Sequence, residues 1–157
     1  MWFEPYFFFR YKEDGFEPPK LNCVGLSLYA IKDRAGIEIP REHVSASMLA
    51  FARGMDRAEK SPDWIKITSS CKNGKIEFVE GEQDRELDIV LFWELIGKGR
   101  KARPLGLHCG PVVLPGLVMD ISEQGVFVRR YYPSPTERAD GATARSVLGV
   151  YRHRFLA

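Results

Sequence analysis

The stretch Leu21 to Pro40, LNCVGLSLYAIKDRAGIEIP, constrains the fold more than any other part of the chain. Pro18 and Pro19 keep the backbone before it extended. Asn22 is a good N-cap, because its side chain can accept a bond from an orphan N–H of a first helical turn. Val24, Leu28, Ile31 and Ala35 recur at i, i+4, i+7 and i+11, one face of an α-helix. Gly36 supplies the C-terminal stop and Pro40 prevents continuation. The spacing therefore predicts a buried helix with Cys23 in its first turn. There the helix dipole and the free N–H groups favour a thiolate, the nucleophilic form of cysteine. Most lone cysteines are small buried hydrophobes. A second stretch, Leu107 to Asp120, is what sets this one apart.

A chain of 157 residues suits one domain, 1–157, with its own core. The net charge of +2 gives no case for a nucleic-acid partner. Three cysteines, Cys23, Cys71 and Cys109, are too few and odd in number for a disulfide framework, so reduced thiols and synthesis in a cytosol are expected. The N-terminus, MWFEPYFFFRYKEDG, lacks the basic start and apolar run of a signal peptide. No segment approaches the roughly 18 apolar residues of a membrane helix, so no membrane span is expected.

Taken in order, Met1 to Arg10 reads as an extended aromatic arm, and residues 1–20 as that arm plus a loop. The arm either packs on its own core or anchors in a partner protein. A second helix is expected from Arg41 to Arg53, with Val44, Met48 and Phe51 as its stripe and Gly54 as its end. Met55 to Asp63 reads as loop, Trp64 to Thr68 as a short strand, and Cys71 to Gly74 as a turn. Lys75 to Glu80 alternates like a half-exposed strand, and Asp88 to Trp93 reads as a central one. Gly97 to Pro104 is basic, either a solvated turn or a grip on an anionic polymer. Three strands follow, Leu107–Leu114, Leu117–Ile121 and Val126–Arg130, with turns at Pro115-Gly116 and Glu123-Gln124-Gly125. Tyr131 to Ala144 reads as loop, and Val147 to Phe155 closes the domain as a strand. Helices followed by antiparallel strands predict an α+β domain with the helices on one face of the sheet.

His43 and His153 read as surface or structural. His108 starts HCGPVVLPGLVMD after a Pro-Leu-Gly turn, where a strand end can face a cleft. In a cysteine hydrolase such a histidine takes the thiol proton and later protonates the leaving amine. A third group must hold the imidazole. Asp120 lies twelve residues on (120 − 108 = 12), and a hairpin tipped by Pro115-Gly116 would return it beside His108. Zinc held by Cys23, Cys71, His108 and Cys109 finds no support in the spacing, and 108 and 109 point to opposite faces of a strand. Nothing in the chain calls for a metal or another cofactor.

These pieces together resemble the NlpC family of papain-like cell-wall cysteine peptidases, over about Tyr11 to Arg130. The matching segments are Tyr11 with Gly15, Asn22-Cys23-Val24-Gly25, Gly36-Ile37-Glu38-Ile39-Pro40, Leu87-Asp88-Ile89-Val90-Leu91-Phe92, His108-Cys109-Gly110-Pro111-Val112-Val113 and Asp120. The resemblance implies Cys23 as nucleophile, His108 as general base and Asp120 as the residue orienting the imidazole. It implies that the Tyr11 hydroxyl helps the Cys23 N–H bind the oxyanion. Leu87 stands where the family's strand segment begins with Gly, and the chain departs from the pattern in four further places. Asn22 stands for the usual Asp, and Asp120 for a more frequent His, Asn or Gln. Asp14-Gly15 stands for Gly-Gly, and Pro111 predicts a bulged or edge strand.

The family's usual substrate is the peptide stem of peptidoglycan. With no signal peptide or wall-binding module in view, the resemblance is to tail-associated members of phages and related particles. It implies an endopeptidase made in the bacterial cytoplasm and carried in a virion tail. The aromatic N-terminal arm would dock on tail-tip or hub proteins. The alternative is an inactive structural tail-tip subunit with the same fold.

Overall fold

The computed structural model describes residues 1–40, 43, 63–72, 75–96, 103–131 and 147–157. Among them one α-helix packs on a sheet-rich body, so the domain is mixed α+β. The expected helix over Arg41–Arg53, most of the loop after it, and most of the basic segment lie outside the described residues.

The chain begins with a 3₁₀ helix at Glu4–Phe8, not an extended arm. Pro5 sits at its start, where the missing N–H is no loss. The turn puts Tyr6 inside, with rings packed on Phe9 and Tyr29, while its hydroxyl donates to Asp33. The aromatic run is thus split between an inward and an outward side. Phe3 and Tyr6 are buried; Phe8 is 78% exposed. Strands β1 (Arg10–Tyr11), β2 (Phe16–Glu17) and β3 (Lys20–Leu21) then form a small sheet in the order β1-β3-β2.

Helix α1 spans Cys23–Ala35. Asn22 caps it, its Oδ1 accepting the Gly25 N–H at 2.7 Å. Gly36 ends it in the left-handed region at φ 68, with its N–H returned to the Lys32 carbonyl. The buried face is Cys23, Val24, Leu26, Ser27, Ala30 and Ile31; Leu28 is only partly buried and Ala35 is exposed. The stripe read from spacing was therefore rotated, because the loop and sheet cover the start of the helix on more than one side.

The main sheet has six antiparallel strands in the order β10-β9-β8-β7-β11-β4. They are β4 (Trp64–Lys66), β7 (Ile89–Ile96), β8 (Arg103–Leu114), β9 (Leu117–Ser122), β10 (Gly125–Arg130) and β11 (Val147–His153). The strand expected at Trp64–Thr68 breaks at Ile67. Its continuation, β5 (Thr68–Lys72), takes in Cys71 and pairs with β6 (Lys75–Phe78). Alternation along the strands makes two cores. Ile89, Leu91, Cys109, Val113, Met119 and Ile121 pack under α1. Val90, Phe92, Val112, Val118, Val147 and Val150 pack on the other face, against Cys71, Ile76 and Phe78.

Pro111 lies inside the sheet, paired with Ile89, and not at an edge. Val112 exchanges bonds with the residues just before β7, its N–H to the Asp88 carbonyl and its carbonyl from the Leu87 N–H. By alternation the missing N–H of Pro111 faces β9, where the ladder carries an irregularity between Val112 and Leu114. A break in the ladder next to Pro111 is present; the edge is not.

Two buried charge systems pin the sheet. Arg152, 4% exposed, makes paired 2.8 Å bonds to both Asp88 oxygens, a third bond to Glu82 and a fourth to the Gln83 carbonyl. Asp84 accepts from the Gly116 N–H and the Tyr131 hydroxyl, fixing the β8–β9 turn.

Candidate active site

The site is assembled where the start of α1 meets the middle of β8. Asn22 does more than cap. Its Nδ2 donates to the Glu13 carbonyl at 2.8 Å, and its own N–H to the Gly15 carbonyl at 2.8 Å. An aspartate could make the cap but not the Glu13 bond. Gly15 and Gly25 let loop and helix touch: a Cβ on Gly25 would lie 2.3 Å from the Gly15 carbonyl oxygen. This clamp sets the position of Cys23, which is 4% exposed.

His108 and Cys109 are neighbours on β8 and point to opposite faces, yet both reach Cys23. The bonding of Val112 to Leu87 and Asp88 turns the N–H groups of the odd-numbered neighbours toward the other side of β8. The Cys109 N–H on that side bonds to the Cys23 sulfur. The side chains of His108 and Cys109 make hydrogen bonds to it.

Asp120 comes from β9, as the hairpin predicted. Its Oδ1 is 3.6 Å from His108 Nδ1, an ion-pair distance beyond an ordinary hydrogen bond. Asp120 is 2% exposed and firmly held. Oδ1 accepts the Ile121 N–H at 2.8 Å, and Oδ2 accepts from Arg129 Nη2 at 2.6 Å. The Arg129 guanidinium lies 4.9 Å above the Phe92 ring and 5.1 Å from that of Phe127. The Phe92 ring in turn stacks on His108, with centroids 6.1 Å apart. His108, 17% exposed, is the most open of the three.

The proton affinities follow. Cys23 is lowered to about 6, first by the hydrogen bond from the Cys109 thiol, then by His108, against the cost of burial. His108 is raised to about 10, first by Asp120 and then by Cys23. Burial pushes the Cys109 thiol well up, so it stays protonated and donates. Near neutral pH the site holds a thiolate, an imidazolium and a carboxylate in line.

Tyr11 lies on β1, paired with Leu21 two residues before Cys23 (23 − 21 = 2), with its ring packed on the core. Cys71 is remote, in the β5–β6 hairpin on the other face of the sheet. Among the described residues no group of three or more His, Cys, Asp or Glu is placed to hold a metal ion, and no helix is long and apolar enough to cross a membrane.

Sequence reasoning missed Arg129 and the role of Cys109. The register could have shown the first, since Phe127 pairs with Asp120 and Arg129 is one same-face step beyond. It also missed a second histidine site. His43 Nδ1 and His153 Nε2 are 3.0 Å apart and stacked, and His43 Nε2 is 3.4 Å from Asp63. The Phe155 N–H donates to His153 Nδ1, so Nε2 carries the proton of neutral His153 and donates to His43. Burial holds His153 down at about 4, so it stays neutral. No family model and no curated protein matches the chain.

Proposed function

We propose that the protein is a cysteine hydrolase of the papain-like NlpC type that cuts peptidoglycan stem peptides. The observation that carries the reading is the convergence of Cys23, His108 and Asp120 from three separate elements, with a thiolate at a helix start and an imidazolium beside it. The thiolate attacks the scissile carbonyl. The Cys23 N–H and the Tyr11 hydroxyl receive the oxyanion. Imidazolium protonates the leaving amine, and neutral His108 then activates the water that hydrolyses the thioester. One detail of the backbone fits the resemblance. Leu87, at the position where the family pattern has Gly, takes φ 72, the left-handed conformation that glycine adopts most easily.

The setting we propose is a phage-like tail, with tail-tip or hub proteins as partners of the N-terminal segment. The exposed Phe7 and Phe8 on its outer side support such docking. The near-complete burial of Cys23 favours the second reading, an inactive structural subunit. Digestion of peptidoglycan sacculi by the protein and by Cys23→Ala, read by mass spectrometry, separates the two. Released stem-peptide fragments from the wild type alone are expected. No fragments from either protein would reject the hydrolase reading for this substrate.

A further inference from the structure

Hydrolysis uses the Cys23 sulfur as nucleophile and the second sulfur at the site, Cys109, only as its neighbour. Cys109 is fully buried, and its Sγ lies 3.7 Å from the hydroxyl of Ser27, which itself bonds to the Cys23 carbonyl at 2.9 Å. Cys23 starts α1 and Cys109 lies in β8, two elements packed directly together in one core. The Cys109 thiol is the neighbour that most favours the Cys23 thiolate, and neither cysteine is in a disulfide.

We propose that Cys23 and Cys109 are a reversible oxidation site for hydrogen peroxide, in which Cys109 resolves the sulfenic acid formed on Cys23 into an internal disulfide. The Cys23 thiolate attacks one peroxide oxygen. The S–O bond forms, the O–O bond breaks, and the leaving hydroxide takes the His108 proton to become water. The Cys109 sulfur then attacks the Cys23 sulfur. The S–S bond forms, the S–O bond breaks, and the leaving hydroxide takes the Cys109 proton as a second water. The two sulfurs lose a pair of electrons and the peroxide gains them. The thiolate character of Cys23 fits the first step, since thiolates are the species that peroxide oxidises. Without a resolving thiol, sulfenic acid proceeds to sulfinic and sulfonic acids that thiols do not reverse. With it, the nucleophile is blocked and protected together, and a dithiol restores it.

This needs no peptide substrate, so it goes beyond the stem-peptide reading and fails or stands separately from it. The test is hydrogen peroxide on the wild-type protein, followed by digestion without reductant and mass spectrometry. A linked Cys23–Cys109 peptide is expected, with iodoacetamide labelling of Cys23 lost after peroxide and regained after dithiothreitol. In Cys109→Ser the labelling should be lost and not regained, while Cys71→Ser should behave as wild type. The proposal is overturned if wild-type Cys23 is recovered unmodified, as sulfinic or sulfonic acid, or linked between two chains. The wild-type measurement decides this even where Cys109→Ser fails to fold.

Discussion

At the residue scale, Asp120, His108 and Cys23 each set the proton affinity of the next. Hydrolysis needs the thiolate and the imidazolium together. Cys23 gains its proton as pH falls through about 6, and His108 loses its proton as pH rises through about 10. Activity on sacculi is therefore expected to follow a bell with limbs near those values, belonging to the coupled pair. Asp120→Asn removes the largest cause of the raised His108 affinity. The alkaline limb should move down, and kcat/KM near neutral pH should fall by roughly 10²–10⁴-fold, the worth of a positioned acid–base group. An unmoved alkaline limb would show that Asp120 does not act on His108. Arg129→Met leaves the buried Asp120 carboxylate without its 2.6 Å cation partner. Melting should show a stability loss of about 1–3 kcal/mol, the cost of an unsatisfied buried acceptor.

At the scale of elements, two close backbone approaches hold the site. A Cβ on Gly110 would lie 1.9 Å from the Met119 carbonyl oxygen, one residue before Asp120. Gly110→Ala must push β9 off β8. Thermal unfolding should show a loss of about 1–3 kcal/mol from overpacking, with a larger fall in activity than in stability. Helix α1 was legible because its start and stop are local signals: Asn22, Gly36 and the prolines act on their immediate neighbours. The N-terminal turn was not. A dense run of Phe and Tyr carries strand propensity, but Pro5 and the pocket for Tyr6 beside Asp33 overrode it.

At the scale of the whole molecule, the antiparallel strands and the Asp120–His108 hairpin were readable from alternation and turn residues. The sheet order was not. Nothing local says that β11 returns between β7 and β4, or that Arg152 closes on Asp88 across 64 positions. Burial pushes the Asp88 carboxyl up, and the Arg152 bonds oppose that shift. Arg152→Met leaves Asp88 buried without its cation. Urea unfolding should show a loss of about 3–5 kcal/mol, the cost of breaking a buried pair from one side.

The central claim is that Cys23 is a thiolate, favoured first by the Cys109 thiol and then by His108. Its most direct test is the rate of Cys23 alkylation by iodoacetamide against pH, followed at that residue by mass spectrometry. The account predicts a rise with a midpoint near 6 and a plateau through neutral pH. A midpoint near 9, the ordinary value for a cysteine thiol, would contradict it.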